Sequence, residues 1–432
     1  MNKPPDCREA ATPGHIQTKN TRMRYILPVV ITYTTMFLFG LIDNLKAVTL
    51  PLIKAEFAVT YDAQGGMVSI SGFGYTIFCV LAGLCLSRFG IKNTLILSYL
   101  LLCAGVLSVY LAPSFFVITV AFFIVNGGFG FVEIGFNALA TVTFTKKSAL
   151  LMNLMHFFFG VGSIVGPKAV GLFAAAGFGW RAAYVSTMLP SAALLLAVAL
   201  TKLGNAVGRT SRSAPTARSE KPLDGFETPE HPAPRAHPAP YTFVSALRSK
   251  EVWLFGVMLG FMAVLEVGTV SWSALYLHDV YGMDPIVEGA SFVSLFFIFF
   301  TLSRLCSGFA IEKIGYGKSL LMAAACNALC LLCGFGLGVN GIWILPVTGF
   351  FIGPLWPTAI ALAMRHFKEK APLATGAMIV IAGAVISIGQ YAIGLTNQYI
   401  GNAWGYRSCV LYTLLVILTV CLVRRKMRRA DV

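Results

Sequence analysis

Gly83-Leu84-Cys85-Leu86-Ser87-Arg88-Phe89-Gly90-Ile91-Lys92 and Gly308-Phe309-Ala310-Ile311-Glu312-Lys313-Ile314-Gly315-Tyr316-Gly317-Lys318 are two versions of one loop. Each follows an apolar run, sets two glycines seven residues apart and surrounds the second with basic residues. Gly83 to Gly308 and Gly90 to Gly315 are both separated by 225 positions. Gly179-Trp180-Arg181 returns as Gly405-Tyr406-Arg407 at an offset of 226. Matching offsets at two unrelated landmarks mark a duplicated unit.

Apolar runs fill each unit. The chain is 57% hydrophobic and 12% charged, with a mean hydropathy of +0.75, outside the range of ordinary soluble domains. Runs of about 20 residues, the length that crosses a bilayer, recur twelve times. Spans 1 to 6 are expected at 25–46, 64–86, 92–111, 115–139, 149–174 and 182–202. Spans 7 to 12 are expected at 252–277, 287–311, 318–338, 341–364, 373–398 and 405–423. Lipid cannot satisfy free backbone N–H and C=O groups, so these runs must be helices. The alternation of a membrane β-barrel is absent. Between the units, residues 203–250 carry His231-Pro-Ala-Pro-Arg-Ala-His-Pro-Ala-Pro240, serines and scattered charge. That composition predicts a disordered linker with a short surface helix near 241–249. The expected order is a tail (1–24), a six-helix bundle (25–202), the linker, a second bundle (251–424) and a basic tail (425–432).

A net charge of +15 would suggest nucleic acid in a soluble protein, but the positions of the charges say otherwise. All but six of the 33 Lys and Arg residues fall in the two ends and in the loops that share a side with them. The exceptions are Lys54, Arg181 and Arg407 in the opposite loops, and Lys46, Lys168 and Arg304 within spans. By the positive-inside rule both termini are cytoplasmic, in a bacterial inner membrane or a plasma membrane. The lipid bilayer is then a partner and nucleic acid is not. The polar first 24 residues lack a secretory signal. Of ten cysteines, all but Cys7 lie in spans, which argues against a disulfide framework. Cys330 and Cys333 have no companion pair and read as packing residues.

The repeated loop resembles the signature between helices 2 and 3 of the major facilitator superfamily. The resemblance implies twelve transmembrane helices in two six-helix bundles around a central substrate site. It also implies a cytoplasmic gate built from Gly83, Arg88, Gly90 and Lys92 in one half and Gly308, Glu312, Lys313 and Gly315 in the other. In the family the first glycine lets helices approach, and the acidic and basic residues latch the bundle ends. This chain has Ser87 and Glu312 where the family has Asp, so the first latch lacks its anion.

Three acids lie deep in apolar runs: Asp43, Glu133 and Glu266. A carboxylate at bilayer depth costs about 2.5–3.5 kcal/mol on insertion scales, which points to transport. Glu133 and Asn137 in span 4 are four apart and share a helical face. Asn153 and His156 do the same in span 5, where Gly166-Pro167 predicts a kink. Glu266 aligns with Asp43 across the repeat at an offset of 223. Trp272 and Tyr276 lie one turn apart in span 7, an aromatic face suited to a sugar ring or to a membrane interface. Gly353-Pro354-Leu-Trp356-Pro357 breaks span 10, and Gln390 and Asn397 add polar groups to span 11. Other readings stay open: His156 as an interhelical hydrogen bonder, and Asn137 and Asn153 as helix–helix glue. Asp43, four residues from the expected end of span 1, is either solvated or neutralised by Lys46. Lys168 and Arg304 either snorkel or bond carbonyls, and Lys168 is a further candidate for anion binding.

Gly128, Gly130, Glu133 and Asn137, followed by Asn153, His156, Phe159, Gly160 and Gly162, resemble the fucose/glucose branch of that superfamily. The branch's helix 4 acid is implicated in cation-coupled sugar transport. Aligned on Asn44 and Pro51, this chain has Ala47 where the fucose symporters place an Asp, with Asp43 one turn earlier. The resemblance implies a secondary transporter coupled to a proton or sodium through Glu133; Asp43 and Glu266 are further coupling candidates by their depth, and a monomer is expected. Asn44, Asn137, Asn153, His156, Trp272, Tyr276, Gln390 and Asn397 would bind a sugar or similar small polar solute. The alternative is proton-driven efflux of a drug, siderophore or organic anion. No Walker loop or metal-spaced His/Cys cluster is present, so neither an enzyme nor a cofactor is expected.

Overall fold

The computed structural model describes residues 14–143, 148–201 and 242–430. They are helical almost throughout, with no strand among them. Ten helical stretches are long and apolar enough to cross a membrane. Two of them, Tyr61–Leu111 and Gly338–Tyr399, hold two spans each, which gives the twelve. Spans 2 and 3 share Tyr61–Leu111, broken at Gly90 with φ of 79°. Gly315, between span 8 (ending at Ile314) and span 9 (Tyr316–Gly336), has φ of 87°. Left-handed backbone favours glycine, so the second glycine of the repeated loop has the same function in both halves: it turns the chain.

Span 1 is longer than expected. It runs unbroken through Gly14–Phe57, with Pro28 and Pro51 inside it. Asp43 therefore lies in the interior of a helix, not one turn from its end, and Lys54 belongs to the last turn. Span 5 likewise continues through Pro167 as Ser148–Ala175. Span 7 is Lys250–Ser271 followed by Ser273–Tyr281, interrupted at Trp272. In span 10, Thr348–Ile352 and Leu355–Phe367 flank the break at Gly353-Pro354. Of the expected linker, residues 203–241 lie outside the described residues. At its end a short helix, Phe243–Leu247, carries a capping box between Thr242 and Ser245, which satisfies otherwise free N–H groups.

Small residues let the backbones close on each other. A side chain at Gly40, Gly162 or Gly166 would strike the backbone of Phe159, Phe37 or Leu41, locking span 1 to span 5. Gly65 and Gly394 touch where span 2 crosses span 11 (Ala371–Tyr399). Gly83 and Gly308 differ from expectation: a side chain at either would meet nothing within 4 Å. They mediate no close approach here.

The two ends of the molecule differ. One, the basic face, carries the turns at Gly90 and Gly315. At the opposite, far face a single apolar core joins Leu45–Ile53 of span 1 to the second half. Toward the basic face the first half has its own cluster, including Ile31, Leu95, Phe129 and Phe136. Among the described residues, the side-chain hydrogen bonds between halves lie on the far side. Tyr61 OH donates to Asp279 Oδ2 (2.8 Å) and Tyr61 N–H to Gln398 Oε1 (3.0 Å). Lys168 Nζ donates to Ser291 Oγ (2.5 Å) and Ser294 Oγ to the Ile164 carbonyl (2.8 Å). The halves are thus joined at the far face and separated toward the basic face.

Candidate functional site

Between the halves lies a cavity of about 380 Å³, within the range of small-molecule sites. Asp43, Asn44 and Lys46 reach it from span 1, Glu133 from span 4 (Phe115–Thr143) and His156 from span 5. The second half supplies Glu266, Arg304, Trp356 and Gln390. All three intramembrane acids therefore meet in one place. Phe39, Phe129, Phe159 and Phe297 provide much of the apolar wall.

Local structure explains why these side chains point inward. The span 4 glycines serve packing: Gly127 and Gly130 abut Tyr75 and Phe78 of span 2, while Gly128 and Gly135 abut Leu102 and Leu95 of span 3. With span 4 clamped on those faces, Glu133 projects from the remaining one. Asn137 Nδ2 donates to Glu133 Oε1 at 2.9 Å, so Asn137 orients the acid from one turn away and does not itself line the cavity. Asn44 is buried and donates to the Gly40 carbonyl and Ser163 Oγ, both at 3.0 Å. Its carbonyl oxygen makes no further hydrogen bond among the described residues.

Several expected substrate residues lie elsewhere. Trp272 sits behind the wall, 1% exposed, and donates its indole N–H to Gln390 Oε1 at 2.9 Å. Gln390 Nε2 returns to the Val264 carbonyl at 3.3 Å, so this amide braces the interruption of span 7. Tyr276 is buried against Tyr406, ring centroids 4.5 Å apart, and belongs to the core. Asn397 is buried against Gly405; a side chain at 405 would collide with it, which accounts for glycine there. Neither Tyr276 nor Asn397 reaches the cavity. The Asn153 side chain lies outside the described residues. Lys168 bonds Ser291 near the far face, away from the cavity.

The expected gate is not latched in this conformation. Lys92 donates to the Ala199 carbonyl at 2.6 Å within its own half, and Arg88 lies 5.8 Å from the Phe89 ring. Glu312 and Lys313 are exposed and form no described ion pair. Separation of the halves at the basic face leaves these groups without partners across the gap among the described residues.

Sequence reasoning underrated Arg304. Its Nε donates to the Gly353 carbonyl at 3.1 Å, and the guanidinium lies 4.2 Å from the Phe300 ring centroid. In a continuous helix the N–H of residue 357 would take that carbonyl; residue 357 is proline, which has none. The break in span 10 thus provides an acceptor that anchors Arg304 at the cavity wall. Arg304 lines the same cavity as Glu266 and Glu133, although neither forms an ion pair with it within 4 Å among the described residues. The Gly353–Pro357 motif was the available signal; which distant arginine used it was not.

The chain is similar over about nine-tenths of its length to other membrane transport proteins. An uncharacterized MFS-type transporter of Yersinia pestis is 23% identical, covering 95% of this chain and 96% of that one. The L-fucose-proton symporter of Escherichia coli is 21% identical over 88% of each. The crystal structure of the E. coli fucose:proton symporter superposes with a TM-score of 0.57 at 19% identity, covering 92% of this chain and 99% of that one. The family model described as Major Facilitator Superfamily matches residues 32–390. With twelve spans in two halves around one charged cavity, this chain is a membrane transporter belonging to the Major Facilitator Superfamily.

Proposed function

We propose that this chain takes up a sugar or similar small polar solute together with a cation, and that Glu133 is the coupling carboxylate. The observation that supports this most is the meeting of Glu133 and Glu266, one from each half, in a single cavity with His156 and Asn44. The cavity's fixed charges are Asp43, Glu133 and Glu266 against Lys46 and Arg304, a net of −1 with His156 neutral. One bound cation balances that excess, and carrying an unbalanced charge through an occluded state is costly. A proton on Glu133 is the simplest such cation; sodium held by carboxylate and amide oxygens is the other. Rocking of residues 25–202 against 251–424, tethered by 203–250, exposes the site alternately. The basic face is the cytoplasmic one by the distribution of Lys and Arg, in a bacterial inner membrane. A single chain holds the whole site and acts as a monomer.

The test is uptake into proteoliposomes. A pH gradient of one unit is worth about 1.36 kcal/mol, or roughly tenfold accumulation per proton carried. Glu133→Gln keeps an acceptor for Asn137 and is expected to lose accumulation while retaining substrate exchange. A variant that still concentrates substrate with unchanged pH dependence removes Glu133 from the mechanism. Uptake that collapses with a protonophore and ignores sodium identifies the ion. The four phenylalanines in the wall favour a second reading, proton-driven efflux of a lipophilic organic anion. Counterflow against loaded vesicles of each solute class separates the two.

A further inference from the structure

We propose that the transported solute bears a carboxylate, as a sugar acid or related polyhydroxy acid does, and that Arg304 receives it end-on. This rests on the carrier reading above and specifies its substrate class. A guanidinium offers a carboxylate two edges, one made of Nε with an Nη and one made of both Nη groups. In Arg304 the first edge is committed, because Nε donates to the Gly353 carbonyl at 3.1 Å. The guanidinium carbon also rests 4.2 Å from the Phe300 ring centroid. That leaves the edge of two terminal amino groups, which takes part in no described hydrogen bond or ion pair, on a residue lining the cavity. A pinned, half-buried guanidinium with one edge free is preorganised for a planar oxyanion.

The remaining lining suits a polyol. Asn126 is 8% exposed and spends its amide N–H on the Phe122 carbonyl, leaving its carbonyl oxygen for a hydroxyl. Tyr75 and Glu133 add further polar atoms, and Trp356 presents an indole to the apolar side of a ring.

Charge balance gives a consequence. A bound carboxylate takes the cavity from −1 to −2, so two cations must accompany it through the occluded state where a neutral sugar needs one. The acid substrate pairs with Arg304, Lys46 offsets Asp43, and the two co-transported cations balance Glu133 and Glu266.

The experiment is a ligand-induced thermal-shift titration of the purified full-length protein. Glucuronate, galacturonate and gluconate are compared with glucose, galactose and the lipophilic acid benzoate. At least one sugar acid is expected to bind ten or more times more tightly than its neutral counterpart and than benzoate. Arg304→Gln should remove that preference, bringing the ratio of sugar-acid to neutral-sugar affinity down to about one, whatever the substitution does to the absolute affinities. Arg304→Lys, which keeps the charge without the fork, should restore only part of it and also checks that the position tolerates change. Neutral sugars binding as tightly as their acids, or an Arg304→Gln protein that keeps the preference, overturns the proposal and leaves the sugar carrier standing. Stabilisation by benzoate alone, or by none of the six, overturns both.

Discussion

Tyr61→Phe deletes one atom and one link between the halves. The Tyr61 hydroxyl donates to Asp279 Oδ2 at 2.8 Å, and the Asp279 side chain is only 18% exposed. A hydrogen bond to a charged acceptor contributes about 1.5–3 kcal/mol; partial solvation places this one at the low end. The Tyr61 backbone link to Gln398, and those of Lys168 and Ser294, remain. Asp279 also keeps Asn402 and His278 as partners within its own half. The substitution therefore weakens far-face closure without stranding a buried charge. A loss of about 1.4 kcal/mol raises the far-face-open population roughly tenfold. Hydrogen exchange measured by mass spectrometry reads that population at backbone amides whose protection depends on closure. Peptides spanning residues 61–72 and 387–398 should exchange about tenfold faster, with those near Gly90 and Gly315 unchanged. Unaltered protection at the far face, or faster exchange at the basic face, would refute the assignment of this hydrogen bond as a closure element.

Gln390→Leu leaves the Trp272 indole N–H buried and unpaired, a cost of about 1–3 kcal/mol, and should lower the melting temperature in detergent by several degrees. Gly162→Ala drives a methyl into the Phe37 carbonyl, and overpacking of this kind costs about 1–3 kcal/mol; reduced yield of folded protein on size-exclusion chromatography is the readout. Gly83→Ala, in open space, should match the parent in the same assay, although it alters the signature loop. Pro357→Ala returns an N–H to compete for the Gly353 carbonyl that holds Arg304. Its expected effect is on substrate preference, with folding unchanged, measured by the thermal-shift panel.

The departures from expectation have two causes, the length of a helix and the direction its side chains face. Asp43 looked close to a helix end because hydropathy falls around Lys46, yet the helix runs on to Phe57. Lys46, 8% exposed, lines the same cavity as Asp43, whose opposite charge compensates its own. Tyr276 and Asn397 were grouped with the site because they are polar or aromatic residues at plausible depth. Glycines in spans 4 and 5 were correctly read as points of close approach, but the same reading failed for Gly83 and Gly308. For Tyr276, Asn397, Gly83 and Gly308 the depth along the span is legible and the direction faced is not; for Asp43 the depth itself depends on where the helix ends.

By itself the sequence determined the helical class, the duplication and which charged residues, such as Glu133 and Glu266, lie within spans, since a bilayer imposes length and polarity rules that act on every residue separately. It also placed Glu133 beside Asn137, because four-residue spacing on a helix is local geometry. Only the tertiary structure decided which face of each span meets the cavity. In a soluble helix the polar side marks solvent and the apolar side marks the core. In a membrane both lipid and protein neighbours are apolar, so the pattern carries little record of rotation about the helix axis. Arg304 shows the consequence most clearly. Its partner is a backbone carbonyl 49 residues away, freed by a proline, and packing of span 8 against span 10 was needed to bring them together.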